Sequence, residues 1–231
     1  MPVLPGLPPV EITLRRSSRT RRFSLRVSAL DGRVTLSLPA RARESEAMDF
    51  ARSHEAWLRK ALARQTRPMA TGFGSVILFE GREVTLAQGS GRAARLEGDS
   101  LVLPGVEMQA GARASAWLKA MARDRLVAAT DHYAGLLDRK VSRITLRDTR
   151  SRWGSCSHDG ALMYSWRLIM APPLVLAYVA AHECAHLVEM NHSDAYWAVV
   201  QRIFPGWQAQ RAWLHAQGPR LHSFRFDGSE A

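Results

Sequence analysis

Leu168 to Ala181 is the longest uncharged stretch of this chain, and it runs straight into His182-Glu183-Cys184-Ala185-His186. Its 14 residues, interrupted by Pro172-Pro173, fall short of the roughly 20 needed to cross a bilayer. Pro172-Pro173 suits the first turn of a helix, where a missing N–H breaks no intrahelical bond, and the helix is predicted to run to about Met190. Residues four apart lie one above the other on a helix face, so His182 and His186 point the same way.

That spacing is chemically specific. Two imidazoles on one helix face can grip a single zinc ion, and the glutamate beside the first can act as general base on a water molecule. His192 follows His186 by six residues, past the expected helix end. Asn191 before it tolerates the left-handed backbone that would swing the chain back toward the ion. Three protein ligands plus an open position make a catalytic zinc site, whereas structural sites close with four. His182, His186 and His192 are thus the candidate ligands for one zinc ion per chain, and Glu183 is the candidate catalytic base. His54, His132, His158, His215 and His222 have no partner at ligand spacing.

The first third alternates at period two in Val10 to Leu14, Phe23 to Val27 and Val34 to Leu38, with Asp31-Gly32 marking a hairpin turn. A helix with an apolar stripe from Ala47 to Leu62 is predicted over 43–64, followed by a linker over 66–74. Strands are expected over 75–79, 83–87, 93–96 and 101–103, then a long helix over 112–137. Two more strands, 143–148 and 161–168, are joined through 151–160, and two amphipathic helices over 193–204 and 206–217 complete the pattern. The expected class is α+β. A mostly antiparallel, β-rich part with one helix occupies 1–108, and a largely helical half with a small sheet occupies 109–231.

Several neighbouring motifs occur in a fixed order. They are Arg152-Trp153-Gly154-Ser155-Cys156-Ser157, Trp166-Arg167-Leu168-Ile169, Ala171-Pro172-Pro173, the histidine motif, and Asn191-His192-Ser193. Together they resemble the YgjP-like family of metal-dependent hydrolases or metallopeptidases, which is related in motif to the SprT-like and WLM zinc proteases. The resemblance covers about 143–200, and the strand-rich N-terminal part is similar to the family's general layout. It implies a zincin-like catalytic half, zinc ligands at His182, His186 and His192, a catalytic Glu183, and a peptide or protein substrate. Cys184 departs from the pattern, which usually has a bulky aliphatic residue there. Metzincins share the ligand spacing, but they place glycine where Glu189 stands and a methionine turn downstream, and no methionine follows Met190. A gluzincin would recruit a later glutamate, and after Asp194 the only acids are Asp227 and Glu230.

The same resemblance sets Arg152, Trp153, Gly154 and Ser155 along the substrate cleft, where a glycine allows close approach of a bound chain. Tight packing around Trp153 is the alternative. Tyr196 is a candidate donor to a developing oxyanion, with core packing as its competing role, and Trp207 and Trp213 read as core. A metal-dependent nucleoside triphosphate pyrophosphatase is the alternative reaction, although a nitrogen-rich ligand set suits zinc better than magnesium.

Charge adds a second question. The chain carries +11, with 32 Lys+Arg against 21 Asp+Glu, and all its basic residues except Lys60, Lys119 and Lys140 are arginine. Residues 1–67 hold 14 basic and 6 acidic residues, whereas the remainder holds 18 and 15. Arg15 to Arg22 concentrates the excess in an expected loop between strands, where guanidinium groups can grip phosphates of a nucleic acid or nucleotide. The chain would then be a nucleic-acid-associated protein whose zincin part acts on bound proteins. A solvated turn in an arginine-rich chain explains the cluster equally well, and without interleaved aromatics base stacking is not indicated. Two cysteines, Cys156 and Cys184, suit a reducing compartment. The Met1 to Gly6 segment lacks the pattern of a secretory signal. A cytoplasmic protein without a membrane partner is expected.

Overall fold

The computed structural model describes residues 1–28, 32–63 and 69–226, and the chain divides into two compact units, Met1–Arg67 and Pro68–Ala231. In the first unit β1 (Val3–Leu4), β2 (Val10–Ser17), β3 (Ser24–Val27) and β4 (Val34–Pro39) form a sheet in the order β1-β2-β4-β3. The outer pairs are antiparallel and the central β2–β4 pair is parallel. Strand alternation turns Ile12, Val34, Leu36 and Leu38 to one face, where they are buried with Ala47, Met48 and Ala51 of α1 (Glu44–Ser53) and Leu58 of α2 (Glu55–Ala63). The sheet is thus mixed rather than simply antiparallel.

β3 and β4 do pair as a hairpin, and Gly32 takes the left-handed φ of +72° that such a turn needs. Asp31 lies outside the described residues, as do Arg64 and the start of the expected linker, 66–68. The single helix expected over 43–64 is two helices. It breaks at His54, whose N–H returns to the Ala51 carbonyl at 3.1 Å while its ring Nδ1 sits 2.9 Å from the Phe50 carbonyl.

The second unit contains β5 (Met69–Ala70), β6 (Val76–Phe79), β7 (Arg82–Gln88), β8 (Arg95–Glu97), β9 (Ser100–Leu103) and α3 (Glu107–Leu136). It continues with β10 (Arg143–Arg147), β11 (Gly154–Cys156), β12 (Ala161–Ser165), a 3-10 helix at Trp166–Met170 and α4 (Pro173–Ala185), then α5 (Asp194–Ile203), α6 (Trp207–Leu221) and β13 (Phe224–Arg225). Its four-stranded sheet, β6-β7-β9-β8, repeats the order and pairing senses of the first unit's sheet. Leu78, Leu86, Leu101 and Leu103 share one core with Leu118 and Leu126 of α3. For that reason the structure parts at Arg67 and Pro68, whereas the sequence pattern suggested a break between 108 and 109.

The third sheet, β10-β12-β11, is small and flanks α4. β11 falls where the sequence reading placed only a connection, and the strand expected to reach Leu168 ends at Ser165. α4 is buried over most of its length after Leu174, with Val175, Tyr178, Val179, Ala181, Cys184 and Ala185 in the core, which matches its lack of a polar stripe. Its start is clamped by the β6–β7 turn. The N–H groups of Glu80 and Gly81 donate to the carbonyls of Ile169 and Met170 at 2.8 and 3.2 Å. The helix closes sooner than Met190, at Ala185, because Leu187 and Val188 turn back onto the carbonyls of Cys184 and Ala185. No helix among the described residues is long and apolar enough to cross a membrane.

Candidate metal centre

Closing α4 at Ala185 sets the geometry of the histidines. His182 lies in the last turn and His186 at the C-cap, still in helical conformation, so their rings stand 5.2 Å apart and perpendicular. The chain then returns to bring His192 within 5.0 Å of the His182 ring. This return uses tight turns, including a 2.7 Å bond from the Ser193 N–H to the Asn191 carbonyl. It does not use a left-handed Asn191: among the described non-glycine residues, positive φ occurs at Glu80 and Asp138.

The ligand atoms of His182, His186 and His192 all lie within 4.8 Å of one another. Nε2 of His182 and Nε2 of His192 are 3.1 Å apart, close to the roughly 3.3 Å between two nitrogens on a tetrahedral ion with 2.0–2.1 Å bonds. The His186 Nδ1 sits 3.0 Å from the Glu189 carbonyl, which can only accept, so Nδ1 carries the proton and Nε2 keeps its lone pair. Burial, reinforced by the neighbouring imidazoles, pushes His182 down to about 3 and lowers His186 as well. Both are therefore neutral near pH 7, the form that binds a metal. The donor set fits a metal ion.

Tyr196 holds this cluster from below. It is fully buried, its hydroxyl donates to the His182 carbonyl at 2.9 Å, and its ring stacks on His186 at 4.5 Å. The structure thus places Tyr196 under the imidazoles and not in the cleft, with its hydroxyl already engaged. Cys156 stays outside the cluster, its thiol pushed up to about 11 by burial and then by the charges of Glu183 and Asp159.

Glu183 leaves α4 toward β11. It is 5% exposed, and no described residue hydrogen-bonds its carboxylate. Burial raises it to about 8, against the opposing charge of Arg152. A Cβ on Gly154 would stand 2.4 Å from Glu183 Oε1, so only a glycine lets the carboxyl sit where it does. β11 is an edge strand. Its ladder pairs Trp153 with Ser165 and Ser157 with Ala161, so alternation turns the backbone N–H and C=O of Gly154 and Cys156 away from β12.

A cleft of about 260 Å³ opens beside these groups. Arg152, Trp153 and Gly154 line it as expected, with His182, Glu183 and Tyr178 of α4. Ser155 does not, because its side chain leaves β11 on the face opposite Gly154's Cα substituent. Arg211 and His215 of α6 line it too, and the sequence reading missed both as site residues. The one available signal was spacing: Trp207 and Arg211 are four apart and share a helix face.

A second polar cluster supports the cleft wall. Arg167, 8% exposed, makes a two-point ion pair with Asp148 at 2.7 and 3.0 Å and donates to the carbonyls of Leu221 and Phe224. Burial raises the Asp148 carboxyl, but the bonds and charge of Arg167 outweigh it and hold it below its usual range. His222, pushed down to about 4 by burial and then by Arg167, stacks on Trp153 at 4.9 Å.

The family model described as YgjP-like, metallopeptidase domain, matches residues 21–217. No curated protein matches the chain. Among solved structures, the crystal structure of the metallopeptidase zymogen of Pyrococcus abyssi abylysin is similar, with 21% identity and a TM-score of 0.34. That match covers 42% of this chain and 92% of the other.

Proposed function

The chain belongs to the YgjP-like metallopeptidase family, and from that premise we propose that it is a zinc-dependent peptidase, with His182, His186 and His192 holding the ion and Glu183 serving as general base. Family membership supports a metal-dependent peptidase, and the donors support zinc, since three imidazoles without a carboxylate suit zinc better than magnesium or calcium. A zinc ion bound there supplies a Lewis acid that polarises a carbonyl and acidifies water to near neutral pH.

The remaining chemistry falls to the chain. Glu183 takes the proton from the attacking water and later gives it to the leaving amine, a role its place beside His182 in the cleft allows. The outward N–H and C=O groups of Gly154 and Cys156 hold an extended peptide as an added strand and align its carbonyl beside Glu183. Trp153 and Tyr178 supply the apolar wall that thins water around the reacting groups. The single observation that carries this reading is the buried carboxyl of Glu183, without a hydrogen bond from any described residue, beside three converged imidazoles. Hydrolysis of a peptide library by the metal-loaded protein tests it against the Glu183→Gln variant, with metal content measured in both. Equal hydrolysis by the two proteins at equal metal content rules the mechanism out.

A further inference from the structure

The cleft beside the histidines carries more positive charge than its own acids answer, and part of that charge is held in place by packing. Arg211 lines it together with Arg152. The guanidinium carbon of Arg211 lies 5.1 Å from the centre of the Trp197 ring and 5.8 Å from that of Trp207. These indoles stack on each other, 4.2 Å apart and 18° from parallel. Trp197 in turn stands 5.9 Å from the His182 ring and 5.8 Å from the His192 ring. Arg211 is therefore one aromatic ring away from the candidate ligands, and cation–π packing holds it there.

Its donors are uncommitted. The arginine ion pairs among the described residues belong to Arg52, Arg59, Arg95, Arg125, Arg167 and Arg220, and no described residue accepts a hydrogen bond from the Arg211 or Arg152 side chain. Glu183 is the one acid lining the cleft, and it handles the proton. A guanidinium held through its face keeps an N–H edge that matches a carboxylate in two-point geometry. We propose that Arg211, aided by Arg152, makes this cleft select substrates with a carboxylate next to the scissile bond, supplied by an Asp or Glu side chain or by a free C-terminus. The inference rests on the peptidase reading above and names its substrate class.

The test has two arms on the full chain. In the first, the metal-loaded protein digests a peptide library and the cleavage sites are read by mass spectrometry. Asp and Glu flanking the cut should be favoured over Asn and Gln by about tenfold, the worth of one charge-assisted contact in a half-open site. Enrichment only at C-terminal residues, lost on amidation, would assign the carboxylate to the chain end. Arg211→Gln should collapse the acid-to-amide ratio toward one, and Arg211→Glu should turn the preference toward Lys. A structural role for Arg211 would produce no such reversal. In the second arm, tryptophan fluorescence follows binding of a Glu peptide and its Gln counterpart to the Glu183→Gln protein, with the Arg211 change added. Cleavage without an acid preference, or a preference that survives Arg211→Gln, overturns the inference and leaves the peptidase reading intact. Tighter binding of the Glu peptide that depends on Arg211, with no cleavage of any peptide by wild type, upholds the inference and removes the peptidase reading. Binding of a nucleoside triphosphate but of neither peptide overturns the inference.

Discussion

Two groups of buried titratable side chains lie in the second unit, and they are built on opposite principles. Around Arg167 the ionic groups are answered: Asp148 takes two of its donors, two backbone carbonyls take another, and aromatic rings cover its faces, although the Trp166 indole N–H and the Ser165 hydroxyl beside it have no partner among the described residues. Around Glu183 almost nothing is answered. Its carboxyl has no hydrogen-bond donor among the described residues, the His182 Nδ1 is buried without a partner, and two imidazole nitrogens face each other at 3.1 Å. A satisfied buried network holds a fold together, whereas buried polar groups left without partners cost stability unless a ligand answers them. The first cluster fastens the 3-10 helix to β10, α6 and β13. The second, on the function proposed above, is left open to an ion and a substrate.

Substitutions should separate the two roles. The largest effect belongs to Glu183→Gln, which should lower peptide hydrolysis by about a thousandfold while metal content stays near one ion per chain. His186→Ala should cost the ion itself. Wild type should be stabilised by added zinc, by about 2.7 kcal/mol at a hundred times the dissociation constant, and the variant should show almost none of that gain in a thermal melt. Arg167→Met should do the reverse, leaving zinc affinity nearly intact while removing about 2–3 kcal/mol of stability, measured by denaturant unfolding. Two carbonyls and a half-exposed Asp148 lose their partner there. Gly154→Ala is the finer probe. Its Cβ would stand 2.4, 2.6 and 2.7 Å from Oε1, Cγ and Cδ of the buried Glu183 side chain, so that side chain must shift: activity should fall by about tenfold, with about 1–3 kcal/mol of stability lost to overpacking.

The pH dependence of the metal-free protein should show the contrast at smaller amplitude. Glu183 is raised when folded, so its contribution is complete below about 4.5 and is lost as pH rises toward about 8. His222 is lowered when folded, so its contribution is complete above about 6.5 and is lost as pH falls toward about 4. Each slope is at most about 1.4 kcal/mol per pH unit. Glu183→Gln should flatten the first, and His222→Gln should reduce the second, to which His182 and His186, also lowered when folded, add the remainder; a variant that removed both slopes would erase the distinction between the clusters.

Much of this was legible in the sequence wherever the signal is local. The strands from Val10, Val34 and Val76, the long helix through Leu118 and Leu126, and the Pro-started helix carrying His182 all follow from period and caps. The failures share a cause. Gly154-Ser155-Cys156 has no period to betray a strand and becomes one only by pairing with Leu162 to Tyr164. Tyr196 had two readings, oxyanion donor or core packing, and only the fold, which buries it and gives its hydroxyl to the His182 carbonyl, tells them apart. Arg211 carries no motif and enters the site only because Trp197 and Trp207 stack beneath it. The β6-β7-β9-β8 sheet read as part of the N-terminal region until its leucines met α3.

The sequence alone thus determined which atoms could do chemistry here. A histidine, a glutamate and a second histidine at helical spacing, with a third one turn of chain beyond, are placed by bond geometry and the 3.6-residue period, which act over a few residues. Only the tertiary structure decided the state of those atoms. Burial lowers His182 and His186 into their neutral form and raises the Glu183 carboxyl, Gly154 makes room for that carboxyl, and Arg211 brings an unanswered charge to the cleft. Desolvation and charge depend on segments far apart in the chain, and no local pattern records them.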